Sequence, residues 1–302
     1  MAANYDVIVI GEGVAGLTAA GELARAGLKV ATLEAQLFGG LVLNINELDP
    51  VPAGGASSGA EYASSLVEAA ANAGVTSIAD PVSSMEAVAG MHKVVTGGGA
   101  HTARVVVVAS GARLKKLAVP GASEFEGKGV SQCADCDGPM YQNETVVVVG
   151  GGDSALQEAL VLSQYCGEVR LVHRGAAFSA RDHFQQSVNA APKIITIFNA
   201  EVTAVGGGQM VEKVQIRHAD GRSEDIACAG LFAYIGLEPN VDFLPAAIQR
   251  DANGYVATND QLETAMPGVW AVGAVRSGCG GELDDVIADA SKAAAEVLVR
   301  LA

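Results

Sequence analysis

Two stretches of the chain repeat one order of apolar and glycine positions. Residues 5–10 form a short apolar run, Tyr-Asp-Val-Ile-Val-Ile, the composition of a strand buried on both faces. It leads into Gly11-Glu12-Gly13-Val14-Ala15-Gly16, an Ala/Leu-rich helical segment that stops at Gly27, and a second apolar run over 28–33 that ends at Glu34. Near residue 145 the order returns. A valine run over 145–149 meets Gly150-Gly151-Gly152-Asp153-Ser154-Ala155, a helix is expected through 162, and a strand over 168–173 ends at His173. The repeat predicts a duplicated strand–helix–strand unit.

Between the copies stand a Gly/Ser-rich stretch over 52–59, a predicted helix over 60–73, and a strand over 105–109 that runs into Ser110-Gly111-Ala112. After the second copy, residues 230–236 read as a strand with Pro239-Asn240 behind it as a turn signal. Residues 269–273 read as a strand ending in glycine, and 284–302 as a helix with one apolar face. The natural cuts fall near 115–119 and 237–240, so one domain is inserted into the other.

Composition narrows the class. A chain of 302 residues suffices for two domains of ordinary size. Half its residues are hydrophobic but only 5% aromatic, which with 37 glycines suits parallel α/β packing. The formal net charge of −15 repels phosphate backbones and anionic membrane surfaces, so no nucleic-acid or membrane partner is expected. No apolar run approaches the ~20 residues of a membrane helix. Met1-Ala2-Ala3-Asn4 carries no basic segment, and a cytoplasmic location is the default expectation.

Each glycine motif has a physical reading. Gly11 permits a tight turn, Gly13 lets backbone approach a pyrophosphate, and Gly16 lets helix and strand pack closely, with phosphate meeting the helix N-terminus. Glu34, 23 residues past Gly11, can accept hydrogen bonds from a ribose diol, as in FAD or NAD. The plain alternative is a glycine turn without a ligand. The second motif ends instead in His173-Arg174. A cation without an acid favours NADPH over NADH; the alternative is a surface arginine beside a vestigial fold.

Five cysteines stand at 133, 136, 166, 228 and 279, an odd number with one close pair. Cys133-Ala134-Asp135-Cys136 can close a disulfide within one turn, and such spacing supports thiolate chemistry. Zinc would need two further ligands at comparable spacing, and the other cysteines are scattered, so no metal is expected. Asp137 either exchanges protons with the departing thiol or caps a turn before Gly138. Cys166 and Cys228 adjoin predicted strands and read as core residues. Cys279, after a strand end, is either a second redox centre or a small loop side chain. His92, His101, His183 and His218 form no ligand-like spacing.

The run from Cys133 to Gly138, followed by the second glycine motif and Glu158-Ala159, closely resembles the low-molecular-weight thioredoxin reductases and the related peroxiredoxin reductases. The resemblance covers nearly the whole chain and includes Gly39-Gly40, Ala109 to Ala112, 119–121, 235–240 and Pro267 to Gly273. It implies a homodimer of two Rossmann-like α/β domains: an FAD domain over 1–117 and 241–302, and an NADPH domain over 118–240 that carries the cysteine pair. Flavin contacts would come from Gly11, Gly13, Val14, Ala15, Gly16, Glu34, Gly39, Gly40, Ala109, Gly111 and Gly273. Nucleotide contacts would come from Gly150, Gly152, Asp153, Ser154, Ala155, His173 and Arg174. By the same analogy Cys136 faces the flavin, Cys133 exchanges with the disulfide of a thioredoxin-like protein or small substrate, Asp137 donates the proton, and the domains rotate between half-reactions.

Several positions depart from that pattern. Leu41, Pro50, Ala274 and, after a two-residue insertion, Asp284-Asp285 stand where the family usually has a Gln, an Asn, an Asp and an Arg-Gln pair. An acid near the flavin pyrimidine edge would lower the flavin's potential. The usual second arginine after His-Arg is Gly175, with Arg181 the nearby substitute. Two other readings therefore stand beside the reductase: a flavin–dithiol enzyme with another electron donor or run as a dithiol oxidase, and a flavin-binding protein without turnover.

Overall fold

A computed structural model describes residues 4–45, 47–48 and 51–302. The chain divides into two compact units, one of residues 1–113 with 238–302 and one of residues 114–237. The crossings lie a few residues before the cuts at 117 and 240, inside short strands.

Unit 1 opens with β1 (Asn4–Ile10), α1 (Val14–Arg25) and β2 (Val30–Glu34), followed by α2 (Gly59–Asn72) and β3 (Thr76–Ala79). Ser58 starts α2 locally: its hydroxyl accepts from the Glu61 backbone N–H at 3.2 Å, while Glu61 accepts in return from the Ser57 N–H at 2.8 Å. An antiparallel meander of β4 (Val82–Val88), β5 (Met91–Thr96) and β6 (Gly99–Val108) leads to the crossing strand β7 (Ala112–Leu114).

Unit 2 holds β8 (Val130–Ser131), the short helix α3 (Ala134–Asp137), β9 (Thr145–Gly150), α4 (Asp153–Tyr165), β10 (Glu168–His173), α5 (Asp182–Ala190) and β11 (Ile194–Phe198). Then come β12 (Ala200–Gly207), β13 (Val211–His218), β14 (Ser223–Ala227), β15 (Gly230–Tyr234) and the second crossing strand, β16 (Leu237–Pro239). The chain re-enters unit 1 and ends in β17 (Val269–Ala271) and α6 (Leu283–Leu301).

Both units are built on parallel sheets. In unit 1 the order is β3-β2-β1-β6-β5-β4, with β17 parallel to the second half of β6 and the meander antiparallel. In unit 2 the order is β11-β10-β9-β15-β8, covered by the antiparallel sheet β12-β13-β14. Strand alternation divides the cores. Val7 and Val9 face Leu23 of α1 and Val297 of α6, whereas Ile8 and Ile10 face the layer holding Ile248 and Val256. In unit 2, Val146 and Val148 pack on Leu156 and Leu162 of α4, while Val147 and Val149 pack on Val214 and Ile216. Each such side chain contributes roughly 1.5–3 kcal/mol by leaving water.

Sequence pattern did not reveal β3 to β5 or β11 to β14. Most of their side chains are exposed or half-buried; β4, for example, buries only Met85. Such strands lack the apolar run that marks β1 and β9.

Candidate active site

Both parallel sheets end in a glycine cradle. In unit 1 the Ala109 N–H donates to the Ile10 carbonyl at 2.9 Å, bringing the ends of β1 and β6 together. Gly11 turns there with φ +110°, and a Cβ on it would fall 2.4 Å from the Ala109 oxygen. A Cβ on Gly16 would fall 2.0 Å from the Gly11 oxygen, so α1 rests directly on the turn. Gly13 differs. The nearest atom to its Cβ position is the Gly39 oxygen at 3.8 Å, so protein packing alone does not demand glycine here.

The rim comes from distant segments. Gly39 donates to the Glu12 carbonyl at 2.7 Å, and Gly39 and Gly40 take φ +99° and +64°, which place them beside Gly13. A Cβ on Gly273 would fall 2.9 Å from the Ala15 Cβ, bringing the end of β17 against the first turn of α1, Val14 to Gly16. Gly111 lies beyond Ala109 with φ +64°. No side chain caps α1, so its first N–H groups suit an anion. Glu34 ends β2 half-buried and accepts from the Glu12 N–H at 2.7 Å and the Gln36 N–H at 3.0 Å. A bare glycine edge, an uncapped helix start and a carboxylate at the next strand end together fit the pyrophosphate and ribose of a dinucleotide.

Unit 2 repeats the design with altered chemistry. Gly150 has φ +153°, and a Cβ there would fall 2.4 Å from the Tyr234 oxygen and 2.6 Å from the Ala155 side chain. Gly152 is open in the manner of Gly13, with Ser179 Oγ at 3.9 Å from its Cβ position, and α4 also starts without a side-chain cap. Gly151 lies under His173, whose Nδ1 would stand 2.2 Å from a Cβ. His173 Nε2 pairs with the Ala177 carbonyl at 2.9 Å, so its ring packs on the loop. Ser154 is exposed at the helix start. Arg174 is exposed and makes no ion pair among the described residues. Arg181 is not a free second cation: Asp153 accepts from its backbone N–H and from its Nε, and its guanidinium lies 5.3 Å over the Phe184 ring.

Cys133 and Cys136 form a disulfide with Cα atoms 5.3 Å apart. Cys133 is the N-cap of α3, and its Sγ accepts from the Cys136 N–H at 3.2 Å. Cys136 is exposed and Cys133 half-buried. Asp137 ends α3, and its side chain caps no turn. It lines a cavity of about 230 Å³ with Ser131, Gln132 and the Lys116–Glu126 ion pair. The turn-capping alternative for this carboxyl finds no hydrogen bond in the structure.

The remaining thiols are held protonated. Burial pushes Cys166 up to about 11 and Cys228 up to about 12. Burial also raises Cys279, and the Asp289 and Asp285 carboxylates act in the same direction. A thiol so placed is a poor nucleophile, which favours the loop-residue reading of Cys279. Among the described residues no group of His, Cys, Asp and Glu could hold a metal ion.

The described departures of unit 1 adjoin its cradle. Leu41 lies in a 3-10 turn (Gly40–Asn44), Ala274 in a second one (Gly273–Val275), and Asp284 and Asp285 in the first turn of α6. Pro50 lies outside the described residues. Two acids that sequence did not single out also belong here. Asp289 grips Arg276 with two 2.8 Å hydrogen bonds and accepts from the Gly273 N–H at 3.2 Å. Glu12 is only 6% exposed and accepts from the Thr32 hydroxyl. Their partners lie 13 and 20 residues away, on other elements, so no local pattern exposes either pair.

Comparison with known proteins agrees with this geometry. The family model for pyridine nucleotide-disulphide oxidoreductases matches residues 5–296. Thioredoxin reductase of Treponema pallidum (strain Nichols) is 37% identical over 279 residues, 92% of this chain and 91% of that protein. Among solved structures, thioredoxin reductase of Lactococcus lactis matches with a TM-score of 0.94 at 32% identity, covering 98% of each chain. That of T. acidophilum matches with a TM-score of 0.93 at 30% identity, covering 99% of each. Over almost its whole length, then, this chain belongs to the pyridine nucleotide-disulphide oxidoreductase family.

Proposed function

We propose that this oxidoreductase takes electrons from NADPH through FAD into the Cys133–Cys136 disulfide and passes them to the disulfide of a thioredoxin-like protein. The observation that carries the reading is the disulfide itself, with Cys136 exposed and the Asp137 carboxyl adjoining it, in the unit that bears the second glycine cradle. FAD is assigned to the cradle around Gly13 and Glu34, and NADPH to the one around Gly152 and Arg174. Bound FAD supplies a two-electron carrier between nicotinamide and disulfide. A homodimer in the cytoplasm is the assembly and location that go with this activity.

The protein's own groups do the thiol chemistry. Two electrons and two protons convert the Cys133–Cys136 disulfide into a dithiol. The Cys133 thiolate, stabilised by the Cys136 N–H, attacks one sulfur of the partner disulfide and expels the other as a thiolate. Cys136 then attacks the mixed disulfide, restoring the Cys133–Cys136 bond and releasing the partner as a dithiol. Asp137 holds and returns the Cys136 proton.

A second reading draws on one observation: Arg181 is bound to Asp153 and Gly175 replaces a second arginine, leaving Arg174 alone for a 2′-phosphate. That suits an electron donor other than NADPH. Anaerobic addition of NADPH separates the two, bleaching the flavin in the first case and leaving it yellow in the second. With Cys136→Ser, flavin stays bound and bleaches while disulfide reduction stops. Cys133→Ser also stops turnover and gains a long-wavelength absorbance shoulder from the remaining thiolate. Wild-type turnover in both variants would remove the dithiol from the pathway.

A further inference from the structure

Behind the disulfide, three elements of unit 2 meet at one carboxylate oxygen. Ala134, the fully buried residue after Cys133, donates its backbone N–H to Glu158 Oε2 at 3.2 Å. The Tyr234 hydroxyl donates to the same oxygen, also at 3.2 Å. Glu158 comes from α4 and Tyr234 from the end of β15, while Ala134 belongs to the redox helix α3. Burial, and next the Asp135 carboxylate, raise the proton affinity of Glu158; burial, and next Glu158, raise that of Tyr234.

An acid is an expensive way to satisfy one peptide N–H, since a neutral amide accepts equally well without desolvating a charge. What the acid adds is charge, placed one peptide bond from Cys133. A negative charge there disfavours a thiolate, so it makes the reduced pair less acidic and the disulfide easier to keep. Asp135 adds to that field and Tyr234 tempers it by donating a hydrogen bond.

We propose that Glu158 is a positioning residue of the redox pair, fixing the Ala134 peptide through Oε2 and setting by its charge how readily the reduced cysteines ionise. The inference rests on the pair being the redox relay proposed above.

Glu158→Gln tests it on the full-length, flavin-loaded protein, because the amide oxygen can still accept from Ala134 and Tyr234 while the charge is gone. Two quantities are read: the rate at which iodoacetamide alkylates the reduced pair near neutral pH, and the pair's equilibrium with reduced and oxidised dithiothreitol. Alkylation should accelerate about tenfold, the equivalent of one pK unit, and the equilibrium should move toward the dithiol at an unchanged melting temperature. Tyr234→Phe removes the hydrogen bond that tempers the carboxylate and should move both quantities the opposite way by less, slowing alkylation and shifting the equilibrium toward the disulfide, which keeps the test open should Glu158→Gln fold poorly. Unaltered alkylation and equilibrium in the folded variants would overturn the role of Glu158 and leave the relay standing. A wild-type pair that never equilibrates with dithiothreitol would remove the relay, and this inference with it.

Discussion

The Asp153 carboxylate holds Arg181 at two points, accepting from its backbone N–H at 2.7 Å and from its Nε at 2.5 Å. Asp153 is the first residue of α4, at the mouth of the second glycine cradle, so the pair neutralises an acid where a phosphate would sit. Arg174 is left as the exposed cation at the end of β10. Arg174→Ala should therefore raise the KM for NADPH about tenfold, the loss of one charge-assisted contact, while that for NADH changes little. Arg181→Ala leaves Asp153 uncompensated and should raise both KM values alike, by about twofold, the scale of a surface ion pair. Steady-state kinetics with both nucleotides checks this, and equal effects of Arg174→Ala on the two would remove the 2′-phosphate assignment.

Gly13 and Gly16 are glycines for different reasons, and substitution should separate them. A Cβ at Gly13 meets only ordinary contact within the protein, so Gly13→Val should fold with a near-normal melting temperature yet come off purification colourless. A Cβ at Gly16 collides with the Gly11 backbone at 2.0 Å. Gly16→Val should therefore lose several kcal/mol of stability or fail to fold. A yellow Gly13→Val protein with full flavin content would place the anchor elsewhere.

The buried thiols predict an alkaline limb in stability. Cys166 and Cys228 are raised by burial to about 11 and about 12 from the ordinary thiol value of 9.0. In the unfolded chain both ionise near that lower value, so between it and the folded values the unfolded state binds fewer protons. Stability is then complete at lower pH and falls as pH rises, by on the order of 1 kcal/mol per pH unit for each thiol. Urea midpoints measured across this range should flatten in the Cys166→Ala and Cys228→Ala proteins relative to wild type. A limb equally steep in both variants would assign the loss to other groups.

Asp289 and Arg276 form a largely buried pair, with side chains 12% and 14% exposed. Asp289→Ala leaves the guanidinium uncompensated and frees the Gly273 N–H that Asp289 also holds. A loss of roughly 3 kcal/mol is expected. Arg276→Met with Asp289→Ala should recover part of it by removing both charges, a recovery that a thermal-melt cycle over the four proteins measures.

The local rules were legible because each element that carries chemistry is short-range. The valine runs of β1 and β9, the glycine turns that follow, and the three-residue spacing of Cys133 and Cys136 all act within about ten residues, so residue order alone fixes them. Glu34 and His173 were legible for a related reason: in a strand–helix–strand unit the second strand must end beside the first turn, which places residue 34 at Glu12 and residue 173 at Gly151. Identity of the pattern did not settle its chemistry. Glu34 binds the loop with a carboxylate, whereas His173 lays a ring over it.

Only the tertiary structure decided which side chains remain available. Arg181 looked like a spare cation in sequence, yet packing sets it against Asp153, 28 residues earlier. Asp137 was balanced between capping a turn and exchanging protons with a thiol; it makes no cap and lines the cavity beside Ser131. Glu158 stood in a familiar run of residues, but its meeting with Ala134 and Tyr234 depends on three elements drawn from 24 residues before it and 76 after. Sequence determines backbone conformation through local sterics and apolar spacing. Which charges are neutralised, buried or left free depends on contacts between distant elements, and those exist only once the sheets have assembled.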